Sequence, residues 1–248
     1  MWTLIHGFAG SPRSWTHLVE LARFERPPLL ATLAGHGPNW RHRKVDSFER
    51  ELERLASEIE STEQPRLVCG YSMGARIALG LLARRPRLFD AAVLVGVHPG
   101  LDSQSDRGAR READSAYSRL LRDQGLAAFV DAWEDVPLFS SQRTLSAETL
   151  AEQRAIRLDH EAEGLALALE LLGLAEMPDY RALMRSYETP ITLVTGALDS
   201  KFSEIAETLR AANPAIGVER IPGVGHNVVL EAPDALAELL NRVERQVA

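Results

Sequence analysis

Short apolar runs recur along the chain: WTLIH (2–6), PLLATL (28–33), RLVCG (66–70), AAVLVGV (91–97), ITLVTG (191–196) and GVERIP (217–222). Most are too short for a buried helix and too continuously apolar for a strand with one wet face. Strands of that kind need cover on both sides. The segments between them supply it. Asp46 or Ser47 can cap a helix in which Phe48, Leu52, Leu55 and Ile59 recur at spacings of four and three. The final segment, 232–248, places Leu236, Leu239, Leu240 and Val243 on one face. Strands alternating with helices predict an α/β fold: a mostly parallel sheet flanked by helices. A chain of 248 residues, 45% of them hydrophobic, can fill one such core.

Residues 101–180 break the rhythm. The segment is charged, carries helical patterns and has no convincing strand. The expected organisation is therefore a core domain from 1–100 and 181–248, with a helical cap over 101–180 inserted between strands. Ligands of parallel sheets bind beyond the C-terminal strand ends, so such an insertion is placed to act as a lid.

The strongest local signal is GYSMGAR (70–76). Its first five residues fit G-x-S-x-G between an apolar strand and a helical pattern. Gly70 and Gly74 remove side chains where strand, turn and helix crowd together, and Ser72 is presented on the turn as a nucleophile. Such a turn predicts the order serine, acid, histidine. Asp199 follows the ITLVTG strand, and His226 lies in the loop after the next one. In those roles His226 takes the Ser72 proton and Asp199 fixes the histidine tautomer. The amides of Phe8, in HGFAGS (6–11), and of Met73 are the candidate oxyanion donors. His6 reads as a structural hydrogen-bonding residue, and His36 as a brace for the AGHG loop (34–37).

Arg76 leaves the first turn after the serine, where a helix N-terminus also favours an anion. Arginine grips carboxylates in bidentate fashion, so Arg76 is expected in the pocket. The net charge of −7 argues against nucleic acid and anionic membranes as general partners, and an anionic substrate then needs a local cationic pocket. No run of about 18 apolar residues predicts a membrane span. The N-terminus lacks the basic and apolar regions of a secretion signal, and the single Cys69 excludes an internal disulfide. A cytoplasmic monomer or small homo-oligomer is expected. With no Cys/His cluster at metal-binding spacing, neither metal nor cofactor is implied.

Taken in order, HGF, GHG, GYSMG, GALD and GVGH make the chain resemble the α/β-hydrolase superfamily along nearly its whole length. HGFAGSPRSW, GYSMGARIAL, DSKF (199–202) and GHN (225–227) look more closely like the 2-succinyl-6-hydroxy-2,4-cyclohexadiene-1-carboxylate synthases of menaquinone biosynthesis. That resemblance implies a lyase that expels pyruvate from a carboxylate-rich cyclohexene precursor. Its serine helps to remove a proton and forms no acyl-enzyme. It also implies substrate contacts from Tyr71, Arg76, Arg110 (in ARREAD) and Trp133 (in FVDAW), with Arg107 and Arg111 as neighbours competing for the role of Arg110. Lys201 and Phe202 adjoin the acid as supporting residues. Three departures from the family stand out. The one or two strands that usually precede HGF are missing, Ala75 stands where glycine is common, and LAGHG lacks a proline. The same triad also suits a serine hydrolase of a small ester or thioester, and the fold alone would suit a non-catalytic binding protein.

Overall fold

The computed structural model describes residues 1–247. Six strands form one sheet: β1 (Trp2–Ile5), β2 (Leu29–Ala31), β3 (Leu67–Tyr71), β4 (Ala91–Val95), β5 (Ile191–Gly196) and β6 (Gly217–Ile221). Every pairing is parallel, in the order β2-β1-β3-β4-β5-β6. The chain runs outward from β1 to β2, then crosses back to β3. The order therefore reverses between β1 and β3, and the crevice beyond their C-terminal ends is where such sheets bind ligands.

The helices are α1 (Thr16–Leu21), α2 (Phe48–Glu60), α3 (Met73–Arg84), α4 (Gln104–Glu134), α5 (Ala147–Leu158), α6 (Ala162–Leu172), α7 (Arg181–Met184), α8 (Ser200–Ala212), α9 (Val228–Glu231) and α10 (Pro233–Val247). Alternation along each strand feeds two cores. Trp2, Leu4, Leu67, Cys69 and Val93 pack with Leu18 of α1 and Leu236 and Leu240 of α10. Ile5, Val68, Leu94 and Leu193 pack with Phe48 and Leu55 of α2 and Ile77 of α3. This two-sided burial is why the strands are apolar at successive positions. Ser47 caps α2 by accepting the Arg50 N–H at 3.2 Å.

Helices α4 to α7 stand between β4 and β5. Leu121, Phe129 and Val130 of α4 and Leu165 and Leu169 of α6 form a third apolar cluster. α4 breaks at Gly125, whose φ of 84° no longer continues a helix.

The start of α3 is pressed against β1. A Cβ at Gly74 would collide with the carbonyl oxygens of Ile5 and His6, whereas the methyl of the next residue, Ala75, fits fully buried. Gly74→Ala is expected to destabilise the protein by about 3 kcal/mol or more, because neither backbone can yield. Urea unfolding of the purified variant checks this; an unchanged midpoint would contradict the close approach.

Candidate active site

Ser72 sits between the end of β3 and the start of α3 with φ 51° and ψ −107°. A non-glycine residue there stores strain of order 1–3 kcal/mol unless its surroundings hold it. Here the Ser72 N–H donates to Val95 O at 2.8 Å, and Arg76 N–H donates to Ser72 O at 3.1 Å. The turn lifts the hydroxyl out of the sheet toward the loops after β5 and β6.

Those loops bring the two partners. His226 Nε2 lies 3.1 Å from Ser72 Oγ, and His226 Nδ1 lies 2.7 Å from Asp199 Oδ2. A carboxylate only accepts, so Nδ1 carries the proton and Nε2 is left to accept the serine hydroxyl. His226 and Asp199 are 2% and 7% exposed. The imidazole is enclosed by Phe202, Tyr71 and Phe139, with ring centroids at 4.5, 5.5 and 6.4 Å. Asp199 is further fixed as the cap of α8, its Oδ1 accepting the Phe202 N–H at 3.3 Å. The arrangement can move a proton from Ser72 to His226 and hold the resulting positive charge.

Two backbone amides, those of Phe8 and Met73, are left unengaged. Met73 is the first residue of α3, so its N–H has no partner within the helix. Among the described residues neither it nor the Phe8 N–H donates to an acceptor. The Phe8 loop is braced reciprocally. His36 Nε2 accepts the N–H of Ala9, which holds φ 54°, while His6 Nε2 accepts the Leu33 N–H, both at 3.2 Å. His160, between α5 and α6, accepts the Gly37 N–H through Nδ1 at 2.7 Å. The rings of His6, His36 and His160 meet edge to face in sequence, with centroids at 4.9 and 5.5 Å. Burial pushes His6 down to about 3, His160 down to about 4, and His36 well below the ordinary histidine range. All three are neutral at neutral pH.

A cavity of about 250 Å³ opens beside this loop, its wall including Phe8, Tyr71, Trp133, Phe139, Ile156 and Arg157. Trp133 is both wall and packing element, since its ring contacts Phe8 and Tyr117 at 5.2 Å and stacks on Phe129 at 5.6 Å. Burial raises the Tyr71 hydroxyl above the usual tyrosine range, so it stays protonated.

Arg157 was not singled out by any motif. It is 5% exposed, donates to Glu134 Oε1 at 2.8 Å and holds its guanidinium 5.7 Å from the Phe139 ring. The one available signal is register: seven residues after Leu150, it falls on the inward stripe of α5.

Neither Arg76 nor Arg110 is among the residues lining this cavity, and neither are Ser72 and His226, whose chain neighbours Tyr71 and Asn227 do line it. Arg76 is buried against α6, where its Nη1 donates to Leu172 O at 3.0 Å and satisfies a carbonyl at the helix C-terminus. Arg110 pairs with Asp114 at 2.8 Å. Arg107 is committed to Ala175 O and Met177 O, and Arg111 to Glu176. Burial, and then the charge of Arg110, lowers the Arg76 guanidinium to about 9. Nearby His98 is held down to about 4 by burial and by Lys201, Arg76, Arg181 and Arg110. A cationic flank thus stands apart from the main cavity. Among the described residues, no group of three His, Cys, Asp or Glu side chains could hold a metal ion, and no helix is long and apolar enough to cross a membrane.

Known proteins resemble this chain along nearly its whole length. The 2-succinyl-6-hydroxy-2,4-cyclohexadiene-1-carboxylate synthase of Enterobacter sp. (strain 638) is 31% identical over 243 residues, covering 97% of this chain and 90% of the relative. The protein of the same name from Citrobacter koseri is 31% identical over 242 residues, covering 95% and 92%. Among solved structures, MenH from S. aureus superposes with a TM-score of 0.91 at 25% identity, covering 99% of this chain and 93% of that one. A malate-bound thermophilic esterase from Thermogutta terrifontis, at 23% identity and TM-score 0.81 over 99% and 89%, shares the fold. The model of the alpha/beta hydrolase family matches residues 4–239. With the parallel sheet, the serine turn and these relatives in agreement, the chain is an enzyme that belongs to the alpha/beta hydrolase family.

Proposed function

We propose that the enzyme is a carbon–oxygen lyase. In this reading it eliminates pyruvate from a carboxylate-rich cyclohexene precursor to give 2-succinyl-6-hydroxy-2,4-cyclohexadiene-1-carboxylate. The observation that carries the reading is the Ser72–His226 pair, whose chain neighbours Tyr71 and Asn227 line a largely apolar cavity that also holds a buried arginine, Arg157. A six-membered carbon ring suits Phe8, Trp133 and Phe139, and a carboxylate suits Arg157. The names of the relatives support the same chemistry.

Ser72, its proton drawn to His226, removes the hydrogen from the ring carbon bearing the succinyl group. The electron pair forms a ring double bond, the existing double bond shifts, and the C–O bond to the enolpyruvyl group breaks. His226 returns a proton, and the departing enol becomes pyruvate. The Phe8 and Met73 amides hold the negative charge that develops on the succinyl carbonyl oxygen. Residues 101–180 serve as a lid over the core of 1–100 and 181–248. Arg76 and Arg110 provide a second anionic contact on their own flank: two like charges this close, one of them buried, favour an anion between them.

Assay of pyruvate release from the precursor tests the reading, and no release by folded enzyme would refute it. Arg157→Ala is expected to raise KM for that substrate about 10- to 100-fold, the equivalent of one charge-assisted hydrogen bond. Glu134 keeps its bond to Arg154 at 2.6 Å, so the lid remains braced. Turnover of a neutral ester by the same variant should hardly change. A second reading, hydrolysis of a small ester or thioester, is favoured by the 3.1 Å Ser72–His226 contact, which serves acyl transfer equally well. Fast turnover of p-nitrophenyl esters with a burst of alcohol, and no pyruvate release, would select it.

A further inference from the structure

Glu231 belongs to none of the residue sets above. It ends α9, five positions after His226. Its Oε2 accepts the Gly225 N–H at 2.8 Å and its Oε1 accepts the Asn227 N–H at 3.2 Å. One carboxylate therefore holds the amides on both sides of His226. Gly225, His226 and Asn227 are all buried, and among the described residues these two amides have no other acceptor. The N-terminal side of the loop has anchors of its own. Leu198 N–H donates to Val224 O at 2.8 Å, and a Cβ at Gly196 would collide with Gly225 O. On the other side Asn227 caps α9, its carbonyl accepting the Leu230 and Glu231 N–H at 3.0 and 2.8 Å, but the two amides that flank His226 are held only by the Glu231 fork. Two acceptor atoms in one plane are needed. Glutamine offers one, and its NH₂ would face an N–H.

We infer that Glu231 is a positioning residue that sets the backbone of His226 so that Nε2 meets Ser72 Oγ while Nδ1 stays on Asp199. The inference rests on the triad of the proposed function, but on neither the substrate nor the lyase chemistry. Asp199 restrains the ring from its Nδ1 edge, and Glu231 restrains the chain from which the ring hangs. Misplacement of a reacting group by about 1 Å can lower a rate about 100-fold, so a loose loop should show in the reaction before it shows in the fold.

The experiment uses a fluorophosphonate, which labels an activated serine and needs no knowledge of the substrate. Wild type, Ser72→Ala, Glu231→Gln and Glu231→Asp are compared for the labelling parameters kinact and KI, with unfolding curves run alongside. Glu231→Gln is expected to lower kinact about 10- to 100-fold with KI changed by less than about twofold. Glu231→Asp, which keeps both acceptor atoms on a shorter stem, should recover part of the rate. A downfield proton resonance of His226 Nδ1–H is expected in wild type from its 2.7 Å bond to Asp199, and it should broaden or vanish in Glu231→Gln. A merely structural role would lower the unfolding midpoint while leaving kinact of the folded protein and the resonance unchanged, and that result overturns the inference. If Glu231→Gln fails to fold, Glu231→Asp decides: wild-type kinact and resonance in it, with a lowered midpoint, also overturn the inference. Labelling of wild type but not of Ser72→Ala upholds the triad and leaves Glu231 to be judged by its own variants. No labelling of wild type overturns both.

Discussion

Ser72→Ala is expected to lower turnover by roughly four orders of magnitude or more, whichever reaction the enzyme is assayed for. Both readings route their proton through Ser72 Oγ, and His226 Nε2 has no other side-chain partner among the described residues. The fold should survive the change. Alanine carries the same Cβ as serine, so the substitution adds no steric conflict at the φ of 51° and ψ of −107° that Ser72 holds. The hydrogen bonds of the turn come from the backbone and remain. Unfolding midpoints of wild type and variant should therefore agree while activity differs. Asp199→Asn gives an independent check. An amide NH₂ facing Nδ1 favours the tautomer with the proton on Nε2, which can no longer accept from serine, and losses of about 10⁴-fold follow from such a switch in comparable triads. Substantial pyruvate release by Ser72→Ala would remove serine from the mechanism and leave His226 as the direct base.

The serine, the acid and the histidine were legible because each is fixed by chain geometry close to it in sequence. Gly70 and Gly74 mark a turn too tight for side chains, and Asp199 and His226 each follow an apolar strand whose C-terminal end defines the site. The six strands were legible for a related reason: residues such as Val68 and Cys69 feed opposite cores, so neither face of the strand is polar. What escaped depends on contacts between distant segments. Arg76 sits four residues after Ser72 as expected, yet its acceptor is the carbonyl of Leu172, 96 residues away. Nothing in GYSMGAR foretells a helix end at that point. Arg157 enters the cavity wall only through the register in which α5 packs over the core, and lid sequences carry no turn motif to fix that register. Glu231 looks like an ordinary surface acid until α9 folds it back onto the loop of His226. The cationic flank around His98 likewise gathers residues from the loop after β4 and from α3, α4, α7 and α8 that no single stretch brings together.

Acidification should destabilise the protein steeply, because its three clustered histidines are built to stay neutral. His6 Nε2, His36 Nε2 and His160 Nδ1 each accept a backbone N–H, from Leu33, Ala9 and Gly37. Protonation turns each of these acceptors into a donor pointed at another donor, in a buried setting. The folded values lie far below the ordinary 6.5: about 3 for His6, about 4 for His160, and well below normal for His36. As pH falls below about 6.5 the unfolded chain takes up protons that the folded chain refuses, so stability rises with pH across this window and is lost on descending it. Each histidine contributes a slope of roughly 1.4 kcal/mol per pH unit, and the three together roughly 4. His98, also depressed to about 4, acts in the same direction. Urea unfolding at pH 7, 6 and 5 should show the midpoint falling with each step, and a flat profile over that range would contradict the neutral cluster. His160→Asn, which keeps an acceptor for Gly37, should lower the slope by about a third. Loss of activity should accompany the loss of stability, because His36 is the acceptor for Ala9, directly after Phe8, whose amide is the proposed oxyanion donor. The same neutral imidazole that holds this amide in place thus makes the site vulnerable to acid.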